Sequence, residues 1–317
     1  MTPTDCHVIT PGDFFDGTDL PRVLKSLADR PPGKPICFDL RRLDWATPSL
    51  MTFICACSRA LEAQGTSMLL DIDENCAVFP YLQRMDFFEA CGIPTVERFR
   101  RHAPGTRFVE LQRVSSISSG GLSHEKLAHA SAVAVAGDED YLNTVGFLEY
   151  CVGELLNNLR QHAGADGFVC AQFYEKMDLV RLSVCDAGVG IRASLQRNPR
   201  FLSLDDDERA LELAIQPNVT GNPPSAAPYS NTQNTGNGLY FLAQLVRKSK
   251  GRMWLCSGAA LLIQDPEGAV AVQRTSPLMG TFVEMQIQRR LIADYDRTMD
   301  EIRRERFGTR TVPVQFE

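Results

Sequence analysis

Apolar positions along the first hundred residues switch between two periods. "PICFDLRRL" (35–43) alternates in part, as a strand with one buried face does. "SLMTFICACSRALEAQG" (49–65) repeats at three and four residues and closes at Gly65, which predicts a helix with a glycine C-cap. "SMLLDID" (67–73) reads as a second strand, and "VFPYLQRMDFFEACGI" (78–93) as another helix ending near Gly92. Alternating strands and helices predict a parallel or mixed sheet with helices packed on it.

A junction follows. "RFVELQRV" (107–114) has strand character, and "SSISSGGLS" (115–123) has the small, polar composition of a linker. Residues 1–114 are therefore expected to form one unit and 115–137 a connection, with "HEKLAHASAVAVA" as a bridging helix. From about Asp138 to His162, Val145, Leu148, Val152, Leu155 and Leu159 make an apolar stripe that should dock on a sheet. "FVCAQFYE" and "LVRLSVCD" then read as a hairpin around "KMD". An acidic helix (204–215) leads into "QPNVTGNPPSAAPYSNTQNTGNG", a loop long enough to suggest function or disorder. "LYFLAQLVRKSKG" is a helix, and "RMWLCSG", "AALLIQD", "AVAVQRT" and "GTFVEMQIQ" are four strands. A charged helix (291–317) without an evident role closes the sequence.

A chain of 317 residues, 44% hydrophobic, can bury a large core, and two domains is the natural expectation. The net charge of −6, with no dense run of Lys or Arg, argues against nonspecific nucleic-acid binding. No apolar run is long enough to span a bilayer, and the first residues lack a signal-peptide layout. The ten cysteines are scattered and contain no C-x-x-C pair, so reduced thiols in a cytoplasmic protein are expected.

Four short stretches carry candidate chemistry. In "GELLNNLRQHA" (153–163), Glu154, Asn158 and His162 are spaced by four and form one short row beside the apolar stripe. Alone, such a row is the wet face of a helix. An Asn oxygen can also serve as one ligand of Mg²⁺, and a carboxylate one turn earlier can orient or deprotonate a nucleophile near a γ-phosphate. "DAGVGI" (186–191) is a glycine-rich turn after a strand, or an Asp able to accept from an adenine amino group beside glycines that admit the base. "NTGNGLYFL" sets Gly236 and Gly238 before a helix start, which favours phosphate. "GTFVEM" places Thr281 at the head of the last strand and means nothing by itself.

In this order the four stretches resemble the nucleotide-binding domain shared by gyrase, mismatch-repair ATPases, histidine kinases and anti-sigma-factor serine kinases, the GHKL superfamily. The resemblance spans roughly residues 138–290 and implies an α/β sandwich of the Bergerat type, with a mixed sheet, helices on one face and an ATP lid. It implies ATP and Mg²⁺ as cofactors. Asn158 would be the metal ligand and Glu154 the catalytic base. Asp186 would hold the adenine amino group, with Thr281 supporting it. Gly188 and Gly190 would line the base pocket, and Gly236, Gly238 and Leu239 the phosphate end. His162 would lie within reach of phosphate, and residues 192–235 would form the lid. Tyr240 stands where many members have a further glycine, which puts turnover in more doubt than binding.

The first half resembles, more faintly, STAS domains, through "FDLRRLDWATPSLMTFI", "LEAQGTSMLLDID" and "YLQRMDFFEACGI". That resemblance implies a regulatory domain that meets a protein partner, with Thr47 or Ser49 as phosphoacceptor. Ser49 after Pro48 is equally a helix N-cap. Three functions follow as expectations: a slow ATPase whose nucleotide state controls a partner, a serine/threonine kinase acting on an STAS domain, and a nucleotide sensor without turnover. A homodimer is compatible with the long helix.

Overall fold

The computed structural model describes residues 5–102, 107–115, 124–136, 141–222, 236–292 and 294–307. The first half contains β1 (His7–Ile9), α1 (Leu20–Ala28), β2 (Ile36–Asp39), α2 (Pro48–Ala63), β3 (Met68–Asp71), α3 (Phe79–Arg84) and α4 (Phe87–Ala90). Then come β4 (Phe108–Val114), α5 (His124–Ala136), α6 (Tyr141–Asn158) and a π turn, Leu159–Ala163. The remainder is β5 (Gly167–Tyr174), β6 (Leu179–Asp186), α7 (Gly190–Leu195), α8 (Asp207–Ala214), α9 (Gly238–Lys248), β7 (Arg252–Gln264), β8 (Val270–Gln288) and α10 (Tyr295–Phe307).

β1, β2 and β3 form a parallel sheet in that order, the outcome of strand–helix–strand alternation. The second sheet runs β4–β5–β6–β8–β7 and is antiparallel throughout, so the mixed sheet implied for residues 138–290 is corrected. Hairpins join β5 to β6 and β7 to β8, α5 and α6 lie between β4 and β5, and the long excursion after β6 returns so that β8 lies between β6 and β7. Among the described residues, no helix is long and apolar enough to cross a membrane.

α2 shows why the two halves share a core. Twelve of its sixteen residues are buried, because it lies between the two sheets and has no wet face. Phe53 stacks on Phe15 and meets Phe282 of β8 edge-on, and one apolar cluster runs from Ile9, Ile36 and Phe38 to Phe168 and Trp254. The opposite face of the antiparallel sheet carries α5, α6, α9 and α10 over a second cluster that includes Leu148, Leu155, Leu242 and Ile302. Polar contacts cross the junction too. Thr52 shares a hydrogen bond with Ser183 (2.8 Å), and the amide of Gly17 donates to Glu284 (2.9 Å).

The N-cap of α2 is Thr47, not Ser49. Its hydroxyl accepts from the Leu50 amide (3.2 Å) and donates to the Phe15 carbonyl (2.6 Å), while Pro48 takes the first turn, where no donor is needed. Thr47 and Ser49 are both fully buried. A Thr47→Ala substitution is expected to lower stability by about 2 kcal/mol, from the lost cap and an unpaired Phe15 carbonyl. Urea unfolding checks this, and a change below about 0.5 kcal/mol contradicts it.

Several elements differ from the sequence expectation. The helix expected over 78–93 is two short ones, because Asp86 adopts a left-handed conformation (φ 58°). The strand at 107–114 forms but is the edge of the second sheet, paired with β5. The four strands expected after residue 251 are two long ones. Gly258 and Gly280, both at positive φ, lie where the β7–β8 ladder is irregular, making bulges where turns were expected. β1 and α1 were not anticipated. α10 is no free tail: Met299 and Ile302 are buried, and Lys248 of α9 pairs with Glu305 (2.7 Å). Residues 308–317 lie outside the described residues.

Candidate functional site

A cleft open to solvent lies on the helical face of the antiparallel sheet. Val184 and Asp186 of β6, Leu255 of β7, and Thr281 and Val283 of β8 form its floor. The end of α6 and the π turn make one wall, with Leu155, Asn158, Leu159, His162 and Ala163. α7 makes another, and the chain at 219–221 with the start of α9 closes the third side. Of the residues expected to bind a cofactor, Asn158, His162, Asp186, Gly190, Gly236, Gly238, Leu239 and Thr281 all line this one cleft. Gly188 and Glu154 do not line it, which departs from the base-pocket role expected of Gly188.

Asp186 ends β6 opposite Thr281 of β8 and is 6% exposed. Its carboxylate accepts from the amide of Gly188 (2.8 Å) and from the backbone of Thr281. Burial nevertheless dominates and pushes its pKa up to about 6. Gly188 stands behind the cleft: a Cβ there would overlap the Ala163 carbonyl, which accepts from the Val189 amide (3.0 Å). Only glycine lets the turn after β6 press so closely on the end of the α6 helix. Gly190 and Gly236 have φ of +78° and +72°, the left-handed region that favours glycine.

The π turn re-aims the end of the helix. Such wide turns recur at functional sites because they break the regular spacing of side chains. Here Asn158 and His162 both face the cleft, whereas Glu154 turns to the start of α9, where a Cβ on Gly238 would overlap its Oε2. The three-residue row is thus divided between two environments. Asn158 Nδ2 and His162 Nδ1 are both buried and have no hydrogen-bond partner among the described residues. Buried polar atoms of this kind are rarely left unmet, so a ligand or water that meets them is the ordinary resolution. Burial, reinforced by the charge of Arg197, lowers the pKa of His162 and favours the neutral ring.

Glu154 is held from its own helix. Tyr150, one turn earlier, hydrogen-bonds the carboxylate, and burial outweighs that bond to raise the Glu154 pKa. The Tyr150 ring meets Phe241 of α9 edge-on (6.4 Å) and Tyr295 of α10 (6.4 Å). Tyr150 was invisible as a site residue because a tyrosine on an apolar stripe reads as core. Tyr240 does not line the cleft and packs beside Phe241 instead.

Part of the expected lid is folded. Asp206 caps α8, Asp207 accepts from the Ala259 amide (2.8 Å) and pairs with Arg192 (2.9 Å), fastening α8 and α7 to β7. The segment returning from α8 crosses so close to α7 that a Cβ on Gly221 would overlap the Ser194 carbonyl. Ser194, Thr220 and Gly221 thereby join the cleft, unforeseen from the sequence. The stretch 223–235 of the expected lid lies outside the described residues.

The cleft is lined, among the described residues, by one carboxylate, one imidazole and no Lys or Arg. Among the described residues, no group of three His, Cys, Asp or Glu side chains could hold a metal ion. These residues fit Mg²⁺ only as an ion held mainly by phosphate and water, with Asn158 as one protein ligand. The chain matches no known family model and no curated protein sequence.

Proposed function

We propose that the cleft binds Mg·ATP as a GHKL-type domain does, and that the chain hydrolyses it slowly. One observation carries the reading: residues from four separate stretches, chosen for a single nucleotide chemistry, line a single cleft, with the polar atoms of Asn158 and His162 there unmet. Asp186 would accept from the adenine amino group over a floor of Val184, Leu255 and Val283. The amides at the start of α9 and its positive dipole end would face the phosphates. With no cationic side chain among the described lining residues, much of the phosphate charge would fall to Mg²⁺. Removing Mg²⁺ with EDTA is therefore expected to weaken ATP binding at least tenfold, and equal affinity with and without the ion counts against the assignment of Asn158.

Glu154 would be the water-orienting or general-base carboxylate. Burial raises its pKa above the usual carboxylate value, which strengthens it as a proton acceptor. Phosphate release from Mg·ATP, lost in Glu154→Gln with binding retained, is the expected result; undiminished release in that variant would assign turnover elsewhere.

The kinase reading is weaker for this chain acting on itself. Thr47 and Ser49 are fully buried on a helix wedged between two sheets, so transfer to either requires the first half to lift away. A separate protein substrate remains compatible with the cleft. Mass spectrometry of the chain after incubation with Mg·ATP is expected to show no phosphate on either residue.

A further inference from the structure

Two thiols outside the cleft sit almost at bonding distance. Cys55 lies in the middle of α2, fully buried, and Cys91 follows α4, half-buried. Both are free, and their Sγ atoms are 3.2 Å apart, about 1 Å beyond a disulfide bond length. Arg59, one turn after Cys55, bridges the same two elements: its Nη2 donates to the Ala90 carbonyl (3.1 Å), while its Nη1 pairs with Glu62 (2.9 Å). Its Nε is buried and has no hydrogen-bond partner among the described residues. The Arg59 charge favours the Cys55 thiolate, against a burial that strongly disfavours it. Gly92, next to Cys91, has φ +74°. The other half-buried cysteine, Cys76, contacts the Leu43 carbonyl (3.5 Å) instead.

We propose that Cys55 and Cys91 are a redox pair that closes to a disulfide when the protein meets a hydroperoxide. The more accessible Cys91 sulfur attacks the peroxide, the O–O bond breaks, and the products are a Cys91 sulfenic acid and an alcohol, or water from hydrogen peroxide. Cys55 sulfur then attacks Cys91 sulfur; an S–S bond forms, the S–O bond breaks, and water leaves with the Cys55 proton. In all, two thiols lose two hydrogens and two electrons, and one peroxide bond is reduced. The bond joins the helix wedged between the sheets to α4, closing the chain between residues 55 and 91. It therefore restricts the unfolded state and should raise the unfolding midpoint. The inference does not depend on what the cleft binds.

The test is to treat the native full-length chain with hydrogen peroxide, quench free thiols, and map unreduced peptides by mass. The expected product has lost two hydrogens, carries a Cys55–Cys91 cross-linked peptide that dithiothreitol cleaves, and melts several degrees higher. Cys91→Ser is expected to form no such cross-link and to show no rise in midpoint. Where Cys55→Ser folds, its Cys91 should stall as a sulfenic acid that dimedone traps. A native chain that gives over-oxidised Cys91 without the cross-link, or a cross-link between other cysteines, or no reaction, overturns the proposal whether or not the variants fold.

Discussion

An Asp186→Asn chain is expected to bind adenine nucleotide about 10–100-fold more weakly than the native protein while keeping its fold. The estimate follows from losing one hydrogen bond to a charged acceptor, worth about 1.5–3 kcal/mol. The asparagine oxygen can still accept from Gly188, so the turn after β6 survives. The other position becomes an NH₂ group, which faces the adenine amino group donor to donor. The preference for ATP over GTP should shrink for the same reason. A pH series of the native chain makes an independent check. Because the unliganded Asp186 titrates at about 6, adenine affinity should fall as pH drops through that value, where the carboxyl group acquires a proton and stops accepting. Calorimetry of the variant with native affinity would remove Asp186 from the base site.

The second large effect lies at the junction of the halves. Arg181, 3% exposed, approaches Glu284 (3.7 Å) and Asp16 (3.9 Å), and its guanidinium lies 4.2 Å from the ring centre of Phe14. Glu284 is fully buried; burial raises its pKa to about 7 despite Arg181. Deleting Arg181 leaves that carboxylate with the Gly17 amide and Gln286 but no cation beside it. Arg181→Ala is therefore expected to cost about 3–5 kcal/mol at pH 8 and less at pH 6, where Glu284 can take a proton instead. The sign for the native protein follows from the same shift. An acid with its pKa raised in the folded state holds more protons there than in the unfolded chain, so Glu284 stabilises less as pH rises from about 4.5 to 7. Glu284→Gln should flatten that part of the stability profile. Urea unfolding at several pH values measures both, and a pH-independent cost for Arg181→Ala contradicts the coupling.

What could be read from the sequence depended on how local the cause was. The alternation around Cys37 and the three-and-four spacing through Phe53 announced β2 and α2, since burial on one face writes a period into the chain. The period did not say that α2 is buried on two faces. That fact depends on Phe282, Phe168 and Ser183, more than a hundred residues away. The site was legible where a residue's chemistry is unusual for its place, as with Asp186 in a glycine-rich turn or Asn158 beside an apolar stripe. It was not legible for Thr220 and Gly221, which reach the cleft because α8 is pinned to β7 through Asp207, nor for Tyr150, whose position on the stripe hid its bond to Glu154. Gly188 was expected to admit a nucleotide base, whereas its close neighbour is the Ala163 carbonyl and it does not line the cleft. Gly258 and Gly280 misled in the other direction, because a glycine in a bulge and a glycine in a turn look alike in one dimension.

The central claim is that the cleft takes an adenine nucleotide together with Mg²⁺. Isothermal calorimetry of the full chain with ATP, in buffer with Mg²⁺ and again with EDTA, tests it most directly. One saturable site with one nucleotide per chain, weakened when the metal is removed, is the predicted result. No heat of binding and no shift of the unfolding midpoint, in protein shown to be folded, would contradict it.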